Sequence, residues 1–237
     1  MVVLNCSPRM DKSDTNLILN PFVLGMKKAN AEIDILYIKK LNINPCHGEL
    51  NCFMKTPGRC YLKDDMYILY ETILLADIIV FSTPVHSHGV SSYLSKVLER
   101  GLPLLTPYIE EREGHSYHTN RNKRDGKIVL VSSCAFWELD NFDPLLMRIK
   151  SFCKGSLKEY AGALLRPHMP ALRIMEKSSN LVIDIFNAAE EAGKQLIVNG
   201  EIEKDMLRTI SRELMPLKKY IKINNFYFRN ILKKNAK

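Results

Sequence analysis

A chain of 237 residues with 46% hydrophobic content is long enough for one large globular domain or two small ones. No apolar run reaches the roughly 18 residues that a membrane span needs, which argues against an integral membrane protein. The net charge of +8 is unevenly placed: residues 203–237 carry ten Lys/Arg against three Asp/Glu, and the rest is nearly neutral. No nucleic-acid motif accompanies these charges, so no nucleic-acid partner is expected and the basic tail reads as a solvated helix face.

Taken in chain order, Val2 to Cys6 is a short apolar run entering Ser7-Pro8, the pattern of a buried strand rather than a signal peptide. Ser13 or Asp14 caps a helix starting near Thr15. Ile33–Ile38 is a second strand, followed by a cysteine-containing loop and a helix from Asp64 or Asp65 to Leu74. Residues 77–81, DIIVF, form a third strand, apolar almost throughout as a strand covered on both faces must be. A polar turn at 82–92 leads to a helix over 93–105. Residues 106–126 read as a polar excursion, and 127–131 as a fourth strand ending in Ser132-Ser133-Cys134. Asp143-Pro144 opens another helix, Pro being favoured in a first turn. Residues 161–165 give a fifth strand, and 180–198 and 203–220 give amphipathic helices.

Strands alternating with helices predict a doubly wound α/β fold with a parallel sheet and helices on both faces. The expected division is a main domain over 1–200 and a basic helical extension over 201–237. In such sheets ligands bind beyond the carboxyl ends of the strands. The loops that matter are therefore 6–16, 82–92 and 132–143.

The first of these, CSPRMDKSDTN, joins a strand to a helix N-terminus, where free N–H groups and the helix dipole favour an anion. Ser7, Ser13 and Thr15 add hydroxyls and Arg9 a positive charge, which suits a phosphate monoester. Neither GxxxxGK[ST] nor GxGxxG is present, so an ATPase phosphate loop and a dinucleotide fingerprint are both excluded. In the second loop Pro84 sets the chain direction, and Gly89 permits close approach to a flat ligand.

The motifs SPRxxxSxTN after the first strand and STPVHSHGVSSYLSKVLERG after the third resemble the flavodoxin-like NAD(P)H-dependent FMN reductases. With PCHGELNCFMKTPGRCYLKDDM between them, they resemble more narrowly the iron–sulfur flavoproteins of that group. The similarity covers about residues 1–135 and is loose beyond. It implies a flavodoxin-like five-stranded sheet of order 2-1-3-4-5 that binds FMN. The phosphate would lie at Ser7, Arg9, Ser13, Thr15 and Asn16. The ring would lie over Pro84, Val85, His86, Ser87, His88, Gly89 and Val90, with Ser132, Ser133 and Cys134 on its other side. The implied activity is electron transfer from NAD(P)H to a flavin, quinone or other acceptor. A homodimer or homotetramer is implied too, with a second subunit completing a shallow pocket. Two departures stand out: Cys6 replaces a family glycine, and His86 stands where a larger aromatic often stacks.

Iron–sulfur flavoproteins carry C-x2-C-x2-C and a fourth Cys a few residues later, four thiolates holding a cluster. Here Cys46, Cys52 and Cys60 are the candidate ligands, and Glu49 occupies the place of the second thiolate. A carboxylate is a harder ligand than iron–sulfur chemistry prefers. The expectation is therefore a motif without its cluster, whose thiols are free or structural. Six unevenly spaced cysteines also fit reduced thiols in the cytoplasm better than a secreted disulfide scaffold. Two further readings stay open: an iron–sulfur electron carrier taking electrons from a redox partner protein, and a flavodoxin-like binding module without activity.

Overall fold

The computed structural model describes residues 1–175 and 179–235. Strand β1 (Val2–Asn5) leads through the first polar loop into helix α1 (Asn16–Lys28) and strand β2 (Asp34–Tyr37). A long irregular segment containing the short helix α2 (Asn51–Met54) precedes α3 (Met66–Leu75), β3 (Ile78–Pro84) and α4 (Ser92–Glu99). A two-stranded antiparallel hairpin, β4 (Leu105–Arg112) and β5 (His115–Asn120), is followed by β6 (Lys127–Ser133), α5 (Asp143–Ser156) and β7 (Glu159–Arg166). Helices α6 (Met169–Met175), α7 (Asn180–Val198), α8 (Lys204–Ser211) and α9 (Leu217–Asn235) complete the chain.

The main sheet is parallel with order β2-β1-β3-β6-β7. With the hairpin set aside this is the flavodoxin-like order 2-1-3-4-5. Alternation along the strands explains the two layers. Val3, Val80, Val129, Val131 and Leu164 face α1 and α7 in one buried cluster. Their neighbours Val2, Leu4, Ile79, Phe81, Ile128 and Leu130 face the opposite way, against α3, α4 and α5. Side chains in a strand alternate faces, so a strand buried on both sides is apolar at every position.

Helices α1 and α7 cross at backbone contact. A Cβ at Gly193 would lie 2.0 Å from the Phe22 carbonyl oxygen, and one at Gly25 1.7 Å from that of Glu190. Only glycine permits this approach at either position.

The chain differs from its sequence pattern in four places. The helix expected over 93–105 ends at Glu99, ahead of Gly101 and Pro103, and Leu105 already begins β4. The excursion expected over 106–126 is largely the β4–β5 hairpin; its strands are mainly polar and none of their residues is buried, so they lack the apolar alternation that marks a strand. The helix expected over 203–220 is two helices. Arg212 is extended (ψ 154°), and Pro216 has no N–H to continue the ladder. The short helix α6 was not anticipated, because seven residues are too few to show a periodicity.

The elbow between α8 and α9 is held by a buried cation. Arg166, fully buried at the end of β7, donates to the carbonyls of Ile210 (2.7 Å), Arg212 (2.7 Å) and Pro167 (2.8 Å). The first two are carbonyls that the end of α8 leaves without helical partners. His168 Nε2 lies 3.1 Å from Arg166 and accepts the Leu214 N–H at 3.0 Å. Burial and the Arg166 charge push this imidazole down to about 4. Ile210, Leu214 and Tyr220 of the C-terminal segment lie in the same buried cluster as α1 and α7.

Candidate functional site

The carboxyl ends of β1, β3 and β6 place the three polar loops side by side. In the first, buried Asn5 organises the turn: its Oδ1 accepts the Ser7 N–H at 3.1 Å and its Nδ2 donates to Asn16 at 3.1 Å. Asn16 in turn donates to the carbonyls of Met10 (2.9 Å) and Asp11 (3.2 Å), so its amide braces the loop. Ser7 Oγ accepts the Arg9 N–H, and Ser13 Oγ accepts the Thr15 N–H, each at 3.3 Å. A hydroxyl that accepts still carries one proton to donate. Both serines are buried, so the loop offers two O–H donors in a nearly closed turn at the start of α1.

The cationic side of the loop is built from several elements. Arg9 pairs with Asp14 at 2.8 Å, and Arg173 of α6 meets the same carboxylate. Two guanidiniums against one carboxylate leave a net positive charge. Lys39 donates to the Pro8 carbonyl at 2.8 Å and adds another.

Cys6, where a glycine was expected, does not crowd this turn. It continues the alternation of Val2 and Leu4 and is fully buried in the cluster against α4. Its thiol donates to the Leu4 carbonyl at 3.4 Å, and burial pushes its pKa far up.

The second loop is a tight turn. His86 and Gly89 exchange N–H···O bonds of 3.0 and 2.9 Å across Ser87 and His88. Both central residues have positive φ, 47° and 59°. A primed hairpin turn demands this, and it costs a non-glycine residue about 1–2 kcal/mol. His86, Ser87 and His88 are exposed, Pro84 and Val85 half-buried, and Val90 buried. A Cβ at Gly89 would meet nothing nearer than the His86 carbonyl oxygen at 3.9 Å, so the space over the turn is open.

Hydrogen bonds tie the loops together. Thr15 Oγ1 and Ser133 Oγ lie 2.7 Å apart, joining the first loop to the third. Ser91 Oγ donates to the Cys6 carbonyl at 2.7 Å, and Thr83 Oγ1 accepts the Ser91 N–H, joining the first to the second. Ser132 Oγ donates to the Thr83 carbonyl, also at 2.7 Å. Cys134 is buried, its N–H on the Arg166 carbonyl and its sulfur accepting the Phe136 N–H. Ser82 Oγ, buried at the same strand ends, has no partner among the described residues. Phe136 is exposed beside the second loop, its ring parallel to that of His88 at 6.2 Å. Trp137 instead turns to the C-terminal segment, donating to the Met215 carbonyl and stacking on His168.

The structure thus brings Ser7, Arg9, Ser13, Thr15 and Asn16 together with Pro84–Val90 and Ser132–Cys134. Sequence reasoning missed Asn5, Thr83, Ser91, Lys39 and Arg173. The first two carried a signal: a polar residue closing an otherwise apolar strand. Lys39 and Arg173 carried none, because each reaches the loop from a separate element.

The cysteine loop lies elsewhere. Cys46, Cys52 and Cys60 line one small cavity with Arg100 and Pro103, at the C-terminal end of α4. The ligand loops meet that helix at Ser91, its N-cap, so the length of α4, about 12 Å for eight residues, separates the two. Among the described residues no three Cys, His, Asp or Glu side chains converge closely enough to hold a metal ion. The loop is anchored by a buried ion pair, Arg100 to Asp64, bidentate at 2.7 and 2.9 Å. Burial alone would raise the Asp64 carboxyl. Arg100 and the N–H groups of Asn44 and Met66 outweigh it and bring it down to about 2. A further cavity of about 200 Å³ opens at the opposite, amino end of the sheet, between Ile79, Ile128 and the hairpin base, facing away from the ligand loops.

Fold and loops define a flavodoxin-like α/β protein with a hydroxyl-rich turn between its first strand and first helix. The chain belongs to the NADPH-dependent FMN reductase family, whose profile matches residues 1–138. Among curated proteins it is similar to an iron-sulfur flavoprotein of Archaeoglobus fulgidus, 30% identical over 100 residues that cover 42% of this chain and 47% of that protein. An iron-sulfur flavoprotein of Methanocaldococcus jannaschii is 31% identical over 94 residues, covering 40% and 46%. The match therefore spans about half the length of these relatives. Among solved structures, an FMN-dependent NADH-azoreductase from Bacillus anthracis in complex with FMN superposes with a TM-score of 0.61 at 14% identity, covering 83% of this chain and 98% of that one. An NAD(P)H:quinone oxidoreductase from Methanothermobacter marburgensis gives 0.54 at 15%, covering 82% and 94%. These likenesses show the fold.

Proposed function

We propose that this chain is an FMN-dependent oxidoreductase that takes electrons from NAD(P)H and passes them to a flavin, quinone or other small acceptor. The observation that carries the reading is the first loop: two buried hydroxyls with protons left to donate, under a net positive rim, at the start of α1. That donor set fits a phosphate monoester. Ser7, Ser13 and Thr15 would hold the phosphate, Arg9 would balance its charge, and Asn16 would keep the turn in shape. The open turn from Pro84 to Val90 fits a flat ring, and Ser132, Ser133 and Cys134 shape its far wall. Bound FMN would supply the hydride and electron chemistry. The chain's own part is to orient the ring and to present backbone groups of the strained turn to its edge. Six free thiols suit a reducing, cytosolic setting. The shallow, open site suits a homodimer or homotetramer, and residues 201–237 form a basic helical extension to the main domain.

A second reading, an iron–sulfur electron carrier, is favoured by the three thiols around one cavity. Glu49 in place of the second thiolate speaks against a closed cluster site.

Anaerobic purification followed by a visible spectrum, FMN titration, NAD(P)H consumption, and iron and sulfide analysis separates the readings. A flavin spectrum, with NAD(P)H consumed and no sulfide, is expected. Stoichiometric iron and sulfide would favour the carrier. Colourless protein that refuses added FMN would reduce the fold to a binding module and overturn the proposal.

A further inference from the structure

Helix α9 is buried only in its first turn; further along, Ile223, Asn224, Tyr227 and the edge of Phe228 border a cavity against α6 and stay loosely packed. Tyr220 is its buried residue, its hydroxyl donating to the Ala135 carbonyl. Beyond it, Ile221, Phe226, Tyr227, Phe228 and Leu232 are exposed. Between α9, α6 and Asp14 lies a cavity of about 360 Å³, so even the inner face of the helix is incompletely packed. The helix carries six Lys/Arg and no acidic residue. Ile221, Phe228 and Leu232, spaced by seven and four, form one stripe, and Lys218, Lys222, Arg229 and Lys233 form the next. None of these cations makes an ion pair among the described residues.

The complement of this surface lies on the same edge of the molecule. The loop after β6 exposes Phe136 and Leu139, and Met147 follows on α5. Between them stand exposed Glu138, Asp140 and Asp143, also without an ion pair among the described residues. The patch begins next to Ala135, the residue that anchors α9. An arm whose outer face is exposed beside such a patch suits a twofold pair, in which each arm lies on the other copy's patch.

We infer that α9 docks onto residues 136–147 of a second copy of this chain, apolar stripe on Phe136, Leu139 and Met147, basic stripe along Glu138, Asp140 and Asp143. Two α9 helices would repel each other, so the acidic loop and not the other arm is the docking surface. Because Phe136 stacks beside His88, the docked arm borders the second copy's ligand turn and closes one side of it. This last step rests on the FMN reading; the interface itself does not.

The test measures mass by sedimentation equilibrium on the full chain, with FMN titrated separately. Wild type is expected to be a dimer. Phe228→Glu with Leu232→Glu weakens it roughly a hundredfold, as loss of central apolar anchors does. Glu138→Lys with Asp140→Lys weakens it roughly tenfold, and adding Lys218→Glu and Lys222→Glu restores it. All the substituted positions are exposed, and circular dichroism checks that each variant folds. Each dissociated variant binds FMN more weakly than the dimer. A monomeric wild type, a dimer indifferent to the α9 changes, or a charge swap without rescue overturns the interface. So does a monomer that sediments with phosphatidylserine-containing vesicles, because the basic helix then serves a lipid surface. A protein that dimerises in this way but refuses FMN leaves the interface standing and sinks the flavin reading.

Discussion

The two long loops on this molecule are built on opposite principles. Residues 6–16 sit on strand ends and are held by many weak bonds: Asn5 to Ser7 and Asn16, Thr15 to Ser133, Ser91 to Cys6. Residues 42–65 hold little regular structure and centre on one strong device, the Arg100–Asp64 pair, both side chains within 1% of full burial, with Lys96 and Arg100 also holding the Ile43 and Asn44 carbonyls. The first arrangement leaves hydroxyls to spare for a ligand. The second spends its polar groups on the protein itself. The cysteines thus stand in a segment tied to a buried ion pair, while the serines stand in the loop with hydroxyls to spare.

The largest way to break this contrast is Asp64→Asn. It leaves Arg100 buried without its counter-charge, and about 3–5 kcal/mol of stability is expected to go, read by urea unfolding. FMN affinity of the folded fraction should hardly move, because the ligand loop has its own supports. The pair also sets an acid limit. Asp64 is depressed from 3.8 to about 2, so its contribution is complete above pH 3.8 and is lost as pH falls toward 2.

The second buried guanidinium sharpens the comparison at milder pH. His168 must stay neutral to accept from Arg166 and Leu214, and its pKa falls from 6.5 to about 4. A lowered histidine stabilises above pH 6.5, and that contribution drains away as pH drops toward 4. Urea curves at pH 7 and pH 5 should differ by about 2 kcal/mol from this group. His168→Gln, which keeps an acceptor that does not titrate, should flatten the difference.

Smaller effects belong to the ligand loop. Ser7→Ala and Ser13→Ala each remove one donor and should weaken FMN binding about tenfold, at a stability cost near 1 kcal/mol. Equal affinity for wild type and both variants would remove the phosphate from this turn. Last, thiol labelling of native protein should reach Cys46 and Cys60 first. Cys6 and Cys153 are buried and their thiols pushed up, Cys153 to about 12, so they should react only on unfolding.

Much of the fold was legible because its signals are local. Five apolar runs predict a parallel sheet, and three of them end in small polar residues at the candidate ligand loops. The hairpin was not legible, since its polar strands pair chiefly with each other. The C-terminal break was half visible in Pro216, but its cause lies in Arg166, forty-odd positions away. In the candidate site the hydroxyls announced themselves by spacing, while Lys39 and Arg173 arrive from β2's end and α6.

The chain alone was enough to place the strands along it, the three loops at their ends and the types of side chain those loops carry. Those properties follow from alternation and chain order alone. That Cys6 faces the core and Asn16 braces a loop emerged only from the packed fold. It alone paired Arg100 with Asp64 and left the outer face of α9 exposed beyond Tyr220. Each depends on which distant groups meet, and a buried polar group takes whichever partner the packed fold puts within reach.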